Sequence, residues 1–111
     1  IHQVLLNLFV NSLDAMPDGG QTKIMVRKAT LFLRDAVEIV ISDTGTGIPS
    51  HELDKIFEPF HTTKSEGTGL GLSMVQRIID DHGGTVDVKS KEGKGATFYI
   101  KLPVGNEKLA V

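Results

Sequence analysis

The chain has no cysteine among its 111 residues, which excludes disulfides and any thiolate-held metal and favours a reducing, cytoplasmic setting. No apolar run approaches the roughly 20 residues of a membrane helix, and no charged-then-apolar leader of the secretory kind is visible. An excess of one charge is missing too. With 12 basic and 14 acidic residues the net charge is −2, which argues against a general nucleic-acid surface. Internal repeats and low-complexity tracts are absent. What remains is the composition of an ordinary globule, 40% hydrophobic, with enough chain for one small domain and one core.

The opening IHQVLLNLFVNSLDAM starts in mid-pattern with no N-cap residue ahead of it, so a helix cut near its start, and with it a fragment of a longer protein, is expected. Pro17, Asp18, Gly19 and Gly20 stop that helix. TKIMVRKAT and AVEIVIS read as two strands joined around residues 32–35. Ser50 stands where it can cap a short helix running to Phe57, which Pro59 closes. Residues 61–69 are polar and glycine-bearing; from Leu70 the apolar positions Leu72, Val75, Ile78 and Ile79 recur at helical spacing until Gly83 and Gly84. TVDVKS, a turn at 92–95 and ATFYIKL alternate as a β-hairpin. This order predicts a two-layer α/β sandwich, a mixed sheet with three helices on one face. Residues 1–104 would form the domain and 105–111 a frayed tail.

Three segments carry chemistry. At about 100° per residue, Gln3, Asn7, Asn11 and Asp14 fall in a stripe roughly 80° wide, while Leu5, Leu6, Leu8, Phe9, Leu13 and Met16 cover most of the remaining circumference. Solvent stripes favour Lys, Glu and Arg, and asparagine is a poor helix former, so two asparagines at i, i+4 suggest a face turned into a cavity. A thin solvent stripe on a mostly buried helix is the alternative. DTGTGIP, at the end of the second strand, puts the Asp43 carboxylate beside Gly45 and Gly47 where α/β folds bind ligands; a plain Asp-Gly turn accounts for the same residues. In EGTGLGL, Gly67, Gly69 and Gly71 alternate just ahead of a helix, whose N-terminal N–H groups and dipole suit phosphate. No GK[ST] follows and no GxGxxG fingerprint is present, so neither a P-loop nor a dinucleotide site fits. Leu70 and Leu72 are out of place in a mere flexible linker.

Taken in order, Asn7 with Asn11, DTGTGIP, FEPF at 57–60, GTGLGL and GKGATF resemble the N, G1, F, G2 and terminal glycine motifs of the catalytic ATP-binding domain of sensor histidine kinases. That domain has the Bergerat-type fold of the superfamily that also holds DNA gyrase, the mismatch-repair ATPases and a heat-shock chaperone. The likeness covers nearly the whole chain, and the wording FEPFHTTKSEGTGLGLSMV and DHGGTVDVKS is most similar to the nitrogen-regulation type.

The resemblance implies that Asp43 accepts a hydrogen bond from the adenine amino group while Gly45 and Gly47 let the ring approach, with Ile48 beside them. It implies that Asn11 holds Mg²⁺, that Asn7 positions the metal or its waters, and that Asp14 lies at the rim. Gly67, Gly69 and Gly71 would cradle the phosphates, with Thr68, Leu70 and Leu72 shaping the loop. Residues 61–66 would form a lid in which Lys64 touches phosphate and Thr63 belongs to the nucleotide site, anchored by packing of Phe57 and Phe60. Asn7, Asn11 and Lys64 are then the catalytic set.

By the same resemblance the domain uses ATP and Mg²⁺ to phosphorylate a histidine on a separate dimerisation domain, for relay to an aspartate of a response regulator receiver domain. Contact with nucleic acid or, by this domain, with membrane is not expected, whether or not the complete kinase is anchored in the inner membrane. Nothing here matches the phosphoacceptor motif, so His2, His51, His61 and His82 are poor phosphorylation candidates, and His82 reads as a helix C-terminal residue. Two positions depart from the family pattern. No Lys or Arg stands near Asp14, which leaves Lys64 or another lid group to supply positive charge. Ala96 stands where Ser or Thr is common, which puts a role for Thr97 at the adenine in doubt. A non-catalytic nucleotide-binding module is a competing reading, disfavoured by Asn11, Asp43 and the glycine series. A conformational ATPase of the superfamily is another, but those proteins place a glutamate base where Asn7 stands.

Overall fold

The computed structural model describes residues 2–53, 55–58 and 71–104. Helix α1 spans His2–Asp14; strands β1, Thr22–Leu31, and β2, Arg34–Asp43, form a hairpin; a 3₁₀ turn follows at Ser50–Glu52. Helix α2, Gly71–Asp81, leads to a second hairpin of β3, Thr85–Lys91, and β4, Gly95–Pro103. The strand order is β1-β2-β4-β3.

Every pairing in this sheet is antiparallel, which corrects the expected mixed sheet. The reason lies in the second hairpin. Helix α2 returns the chain to the end of the sheet where β2 began, so β2 and β3 run the same way, but β4 enters between them. The expected helix from Ser50 to Phe57 is likewise a single 3₁₀ turn followed by further turns, bonded from Glu52 N to Pro49 O at 2.9 Å and from Lys55 N to Glu52 O at 2.8 Å. Pro49, not Ser50, stands at the N-cap position, and no side-chain cap bond is made there. So short a segment does not offset the cost of nucleating an α-helix. Burial fixes it instead: Ile56 is in the core, and Phe57 meets Phe98 edge-on with centroids 6.4 Å apart. Among the described residues the helical layer thus holds two α-helices and one 3₁₀ turn.

The core lies between the helices and one face of the sheet. Alternation on β4 turns Ala96, Phe98, Ile100 and Leu102 toward Val4 and Leu8 of α1 and Val75 and Ile79 of α2, with Ile41 of β2 beside them. Fully burying such aliphatic side chains contributes about 1.5–3 kcal/mol each. Ser12 continues the buried line of α1 and is satisfied by a 2.7 Å hydrogen bond to the Thr22 hydroxyl. On the opposite face of the sheet the buried Glu38 carboxylate accepts from Arg27 Nε at 2.7 Å, a cross-strand pair. The rest of α1 is more open than its sequence suggests, since Leu6, Phe9, Val10 and Leu13 are exposed. Ile24 and Val26 of β1, on the helix side of the sheet, are exposed as well.

The β1–β2 turn consists of Phe32 and Leu33, with φ of 51° and 65°. A two-residue hairpin turn wants positive φ at both positions, which is why Asn-Gly is favoured there, and each L-residue held in that region costs about 1 kcal/mol. Neither side chain recovers this by burial, at 76% and 98% exposure. The double variant Phe32→Asn, Leu33→Gly is therefore expected to be more stable by about 1–2 kcal/mol in urea unfolding. A lower midpoint would show that the two apolar side chains make contacts that outweigh the turn strain.

Candidate functional site

Helix α1 and strand β2 converge at one end of the sheet. Thr22 pairs with Asp43 across β1 and β2, and Ser12 reaches Thr22, so the second half of α1 lies over the Asp43 end. The chain leaving Asp43 is then clasped from two sides. On one side Thr46 N donates to Ala15 O at 3.0 Å, just past the end of α1. On the other Gly93 N, in the β3–β4 turn, donates to Thr46 O at 2.7 Å, and Ile48 N donates to Ser90 Oγ at 2.7 Å.

This clasp accounts for both glycines of DTGTGIP. A Cβ on Gly45 would stand 2.4 Å from Ala15 O, and one on Gly47 would stand 2.3 Å from Lys91 O, at a φ of +73° that an L-residue resists. The expected reason for these glycines was close approach of a ligand ring; packing of backbone on backbone already requires them.

Asp43 itself is half-buried on the helix side of β2. Its Oδ1 accepts from Gly45 N at 2.9 Å and from Ala96 N at 3.2 Å. The first bond is an ordinary Asx turn. The second comes from a strand 53 residues on, and the two donors together fix the carboxylate's rotation. Among the described residues no donor reaches Oδ2. An ionised carboxylate only accepts, so the remaining oxygen suits a ligand donor such as an exocyclic amino group. Thr97, one residue beyond Ala96, points to the other face of the sheet, where its hydroxyl pairs with Ser42 at 3.1 Å. Its side chain is therefore off the Asp43 face, and Ala96 serves through its backbone. Sequence reasoning missed that donor because a backbone N–H carries no residue signature.

The polar stripe of α1 flanks the buried line of Val4, Leu8 and Ser12. Asn7 and Asn11 are half-buried, Gln3 and Asp14 exposed, and Gln3 Nε2 donates to Asn7 Oδ1 at 3.0 Å. Asn7, Asn11 and Asp14 each make further interactions within the chain. The solvent-facing pole of the helix is occupied by Leu6 and Leu13, so the stripe is not the exposed side of a helix that is otherwise buried. Ile48 packs against the core, as does Leu72 in the first turn of α2, which Gly71 opens. His82 ends α2 as expected, Nδ1 donating to Ile78 O at 2.8 Å. Thr63, Lys64, Gly67, Thr68, Gly69 and Leu70, with Phe60 and His61, lie outside the described residues. Among those described, no three His, Asp or Glu side chains gather as a metal cluster, and no helix is long and apolar enough to cross a membrane.

The family model described as histidine kinase-, DNA gyrase B-, and HSP90-like ATPase matches residues 1–106. The chain is 46% identical over 102 residues to sensor histidine kinase ZraS of Escherichia coli (strain K12), covering 92% of this chain and 21% of that one. Among solved structures it is similar to the mycobacterial sensor histidine kinase MprB, with a TM-score of 0.80 and 29% identity over 91% of this chain and 70% of that one. Full-length ShkA in complex with AMPPNP aligns with a TM-score of 0.72 and 32% identity, over 91% of this chain and 20% of that one. The chain thus spans about a fifth of the ZraS and ShkA chains. These names do not single out the nitrogen-regulation type. The antiparallel sheet backed by helices is the fold of the kinase catalytic domains. From a family match across almost every residue, and from a fold that agrees with it, the chain belongs to the histidine kinase-, DNA gyrase B-, and HSP90-like ATPase family.

Proposed function

We propose that the chain is the ATP-binding catalytic domain of a two-component sensor histidine kinase. It binds Mg²⁺·ATP and offers the γ-phosphate to a histidine on a dimerisation domain of the same protein, for relay to an aspartate of a response regulator receiver domain. The carrying observation is Asp43, with one oxygen held by two backbone donors and the other bonded by none of the described residues. In this role Oδ2 accepts the adenine amino group and Ile48 offers half-buried apolar surface to the ring. A related kinase, ShkA, is solved with AMPPNP, which supports a nucleotide as the ligand.

Phosphoryl transfer asks a protein for positioning and charge neutralisation more than for covalent chemistry. Asn11 would hold Mg²⁺ through its one amide oxygen, a donor that a hard cation accepts, and the ion would supply charge neutralisation at the phosphates. Asn7, one turn earlier, would help position the metal, and Asp14 would lie at the rim of the same stripe. By the family resemblance Gly67, Gly69 and Gly71, with Thr68, Leu70 and Leu72, would cradle the phosphates, and Lys64 and Thr63 would contact them. The domain works in the cytoplasm without touching nucleic acid or membrane.

Calorimetric titration of ADP and ATP, with and without Mg²⁺, tests the reading. Binding should require adenine and strengthen with the metal; a folded chain that binds neither nucleotide overturns it. Asn11→Ala should weaken ADP binding roughly tenfold or more in Mg²⁺ and much less in EDTA, as loss of a metal-site group does. Equal losses in both would mean that the metal is held elsewhere.

A further inference from the structure

Ser90 occupies an apolar slot. Val86 and Val88 precede it on the same face of β3, and the alternation asks for a third apolar residue there. Instead a half-buried hydroxyl makes two hydrogen bonds: it accepts from Ile48 N at 2.7 Å and donates its one hydrogen to Gly95 O at 2.9 Å. Both partners belong to the candidate site. Ile48 ends the segment that leaves Asp43, and Gly95 precedes Ala96, whose N–H holds Asp43 Oδ1. The bonds close a ring from Asp43 through Ala96 and Gly95 to Ser90, on to Ile48, and back along residues 44–47. One hydroxyl therefore couples the strand that orients the carboxylate to the segment that walls the site beside it.

We propose that Ser90 is a positioning residue for the base-binding half of this site, setting the distance between Asp43 Oδ2 and the Ile48 wall. This rests on the reading of Asp43 as the acceptor for adenine. Only a group that donates and accepts at once can fill the position, because an N–H and a carbonyl converge on it. Alanine removes the acceptor of Ile48 N and one donor to Gly95 O, and the segment 44–48 then keeps Gly93 N to Thr46 O as its only remaining bond to the second hairpin among the described residues.

The test uses a matched pair, Ser90→Thr and Ser90→Val, nearly identical in shape but differing in the hydroxyl, together with Ser90→Ala. Each 111-residue variant is titrated with ADP and with GDP, and its thermal unfolding is recorded. Ser90→Ala and Ser90→Val should bind ADP about tenfold more weakly while GDP changes little, narrowing the base preference, as loss of one or two hydrogen bonds at the site allows. Ser90→Thr should keep both the affinity and the preference of the parent. A uniform loss for both nucleotides, or Thr and Val variants that behave alike, overturns the positioning role and leaves a structural one. The parent chain separates the two levels of the argument: if it does not prefer ADP to GDP, the reading of Asp43 fails, and the role of Ser90 fails with it.

Discussion

Asp43→Ala is expected to abolish measurable ADP binding and to lower the stability of the fold by about 1–3 kcal/mol, the usual cost of leaving buried donors without an acceptor. The two effects have separate sources in one side chain. Oδ1 serves the fold, since it answers Gly45 N and Ala96 N; in the proposed role Oδ2 serves the ligand. Asparagine separates them. In Asp43→Asn the amide oxygen must stay with the two N–H groups, because the reversed amide would set donor against donor. The amide NH₂ then stands where Oδ2 stood and faces the adenine amino group. This variant should unfold within about 1 kcal/mol of the parent, the small deficit reflecting bonds no longer assisted by charge. It should nevertheless bind ADP at least about tenfold more weakly. IDP, which presents a 6-oxo acceptor to the new donor, should lose less or gain. Calorimetry with the two nucleotides measures the exchange, and an Asp43→Asn variant whose preference for ADP over IDP equals the parent's would remove Asp43 from the base site.

The sequence displayed most of the elements but not their order in the sheet. Alternation in TKIMVRKAT, AVEIVIS, TVDVKS and ATFYIKL marks four strands, and all four are present. Alternation does not say which strand lies beside which, so the insertion of β4 between β2 and β3, and with it the antiparallel sheet, could not be read from it. Phe-Leu carries none of the usual turn residues, so the pattern bounds the first turn only to 32–35; the turn itself is Phe32 and Leu33. The potential cap at Ser50 suggests a helix where the chain forms a 3₁₀ turn, and burial of Ile56 and Phe57 decides its path.

At the site, the part of Asp43's environment within its own motif was legible, because the Asx turn to Gly45 is written in DTG. The bond from Ala96 was not, since it is made by backbone across 53 residues. Ser90 was detectable in principle: a serine in phase with Val86 and Val88 breaks the apolar pattern of its strand. Ligand approach alone does not account for Gly45 and Gly47. Their missing side chains make room for the carbonyls of Ala15 and Lys91.

Gly47→Ala should consequently be among the most damaging single substitutions, though it introduces only a methyl group. The new Cβ would lie 2.3 Å from Lys91 O and 2.9 Å from Lys91 C, both backbone atoms that no rotamer change can move. Left-handed strain at φ +73° adds to this. Strain and overpacking together should cost about 2–5 kcal/mol, a fall in Tm of at least about 10 °C for a domain of this size. The chain can relieve the overlap only by lifting residues 46–48 from the β3–β4 turn, which breaks Gly93 N to Thr46 O and Ile48 N to Ser90 Oγ. ADP binding should therefore be lost even at temperatures where the variant remains folded. Gly45→Ala presses instead on Ala15 O, past the end of the helix that carries Asn11, so it should weaken the Mg²⁺-dependent part of binding as well. If Gly47→Ala folds and binds ADP like the parent, the segment after Asp43 is no wall of the site, and the base must lie elsewhere on the sheet.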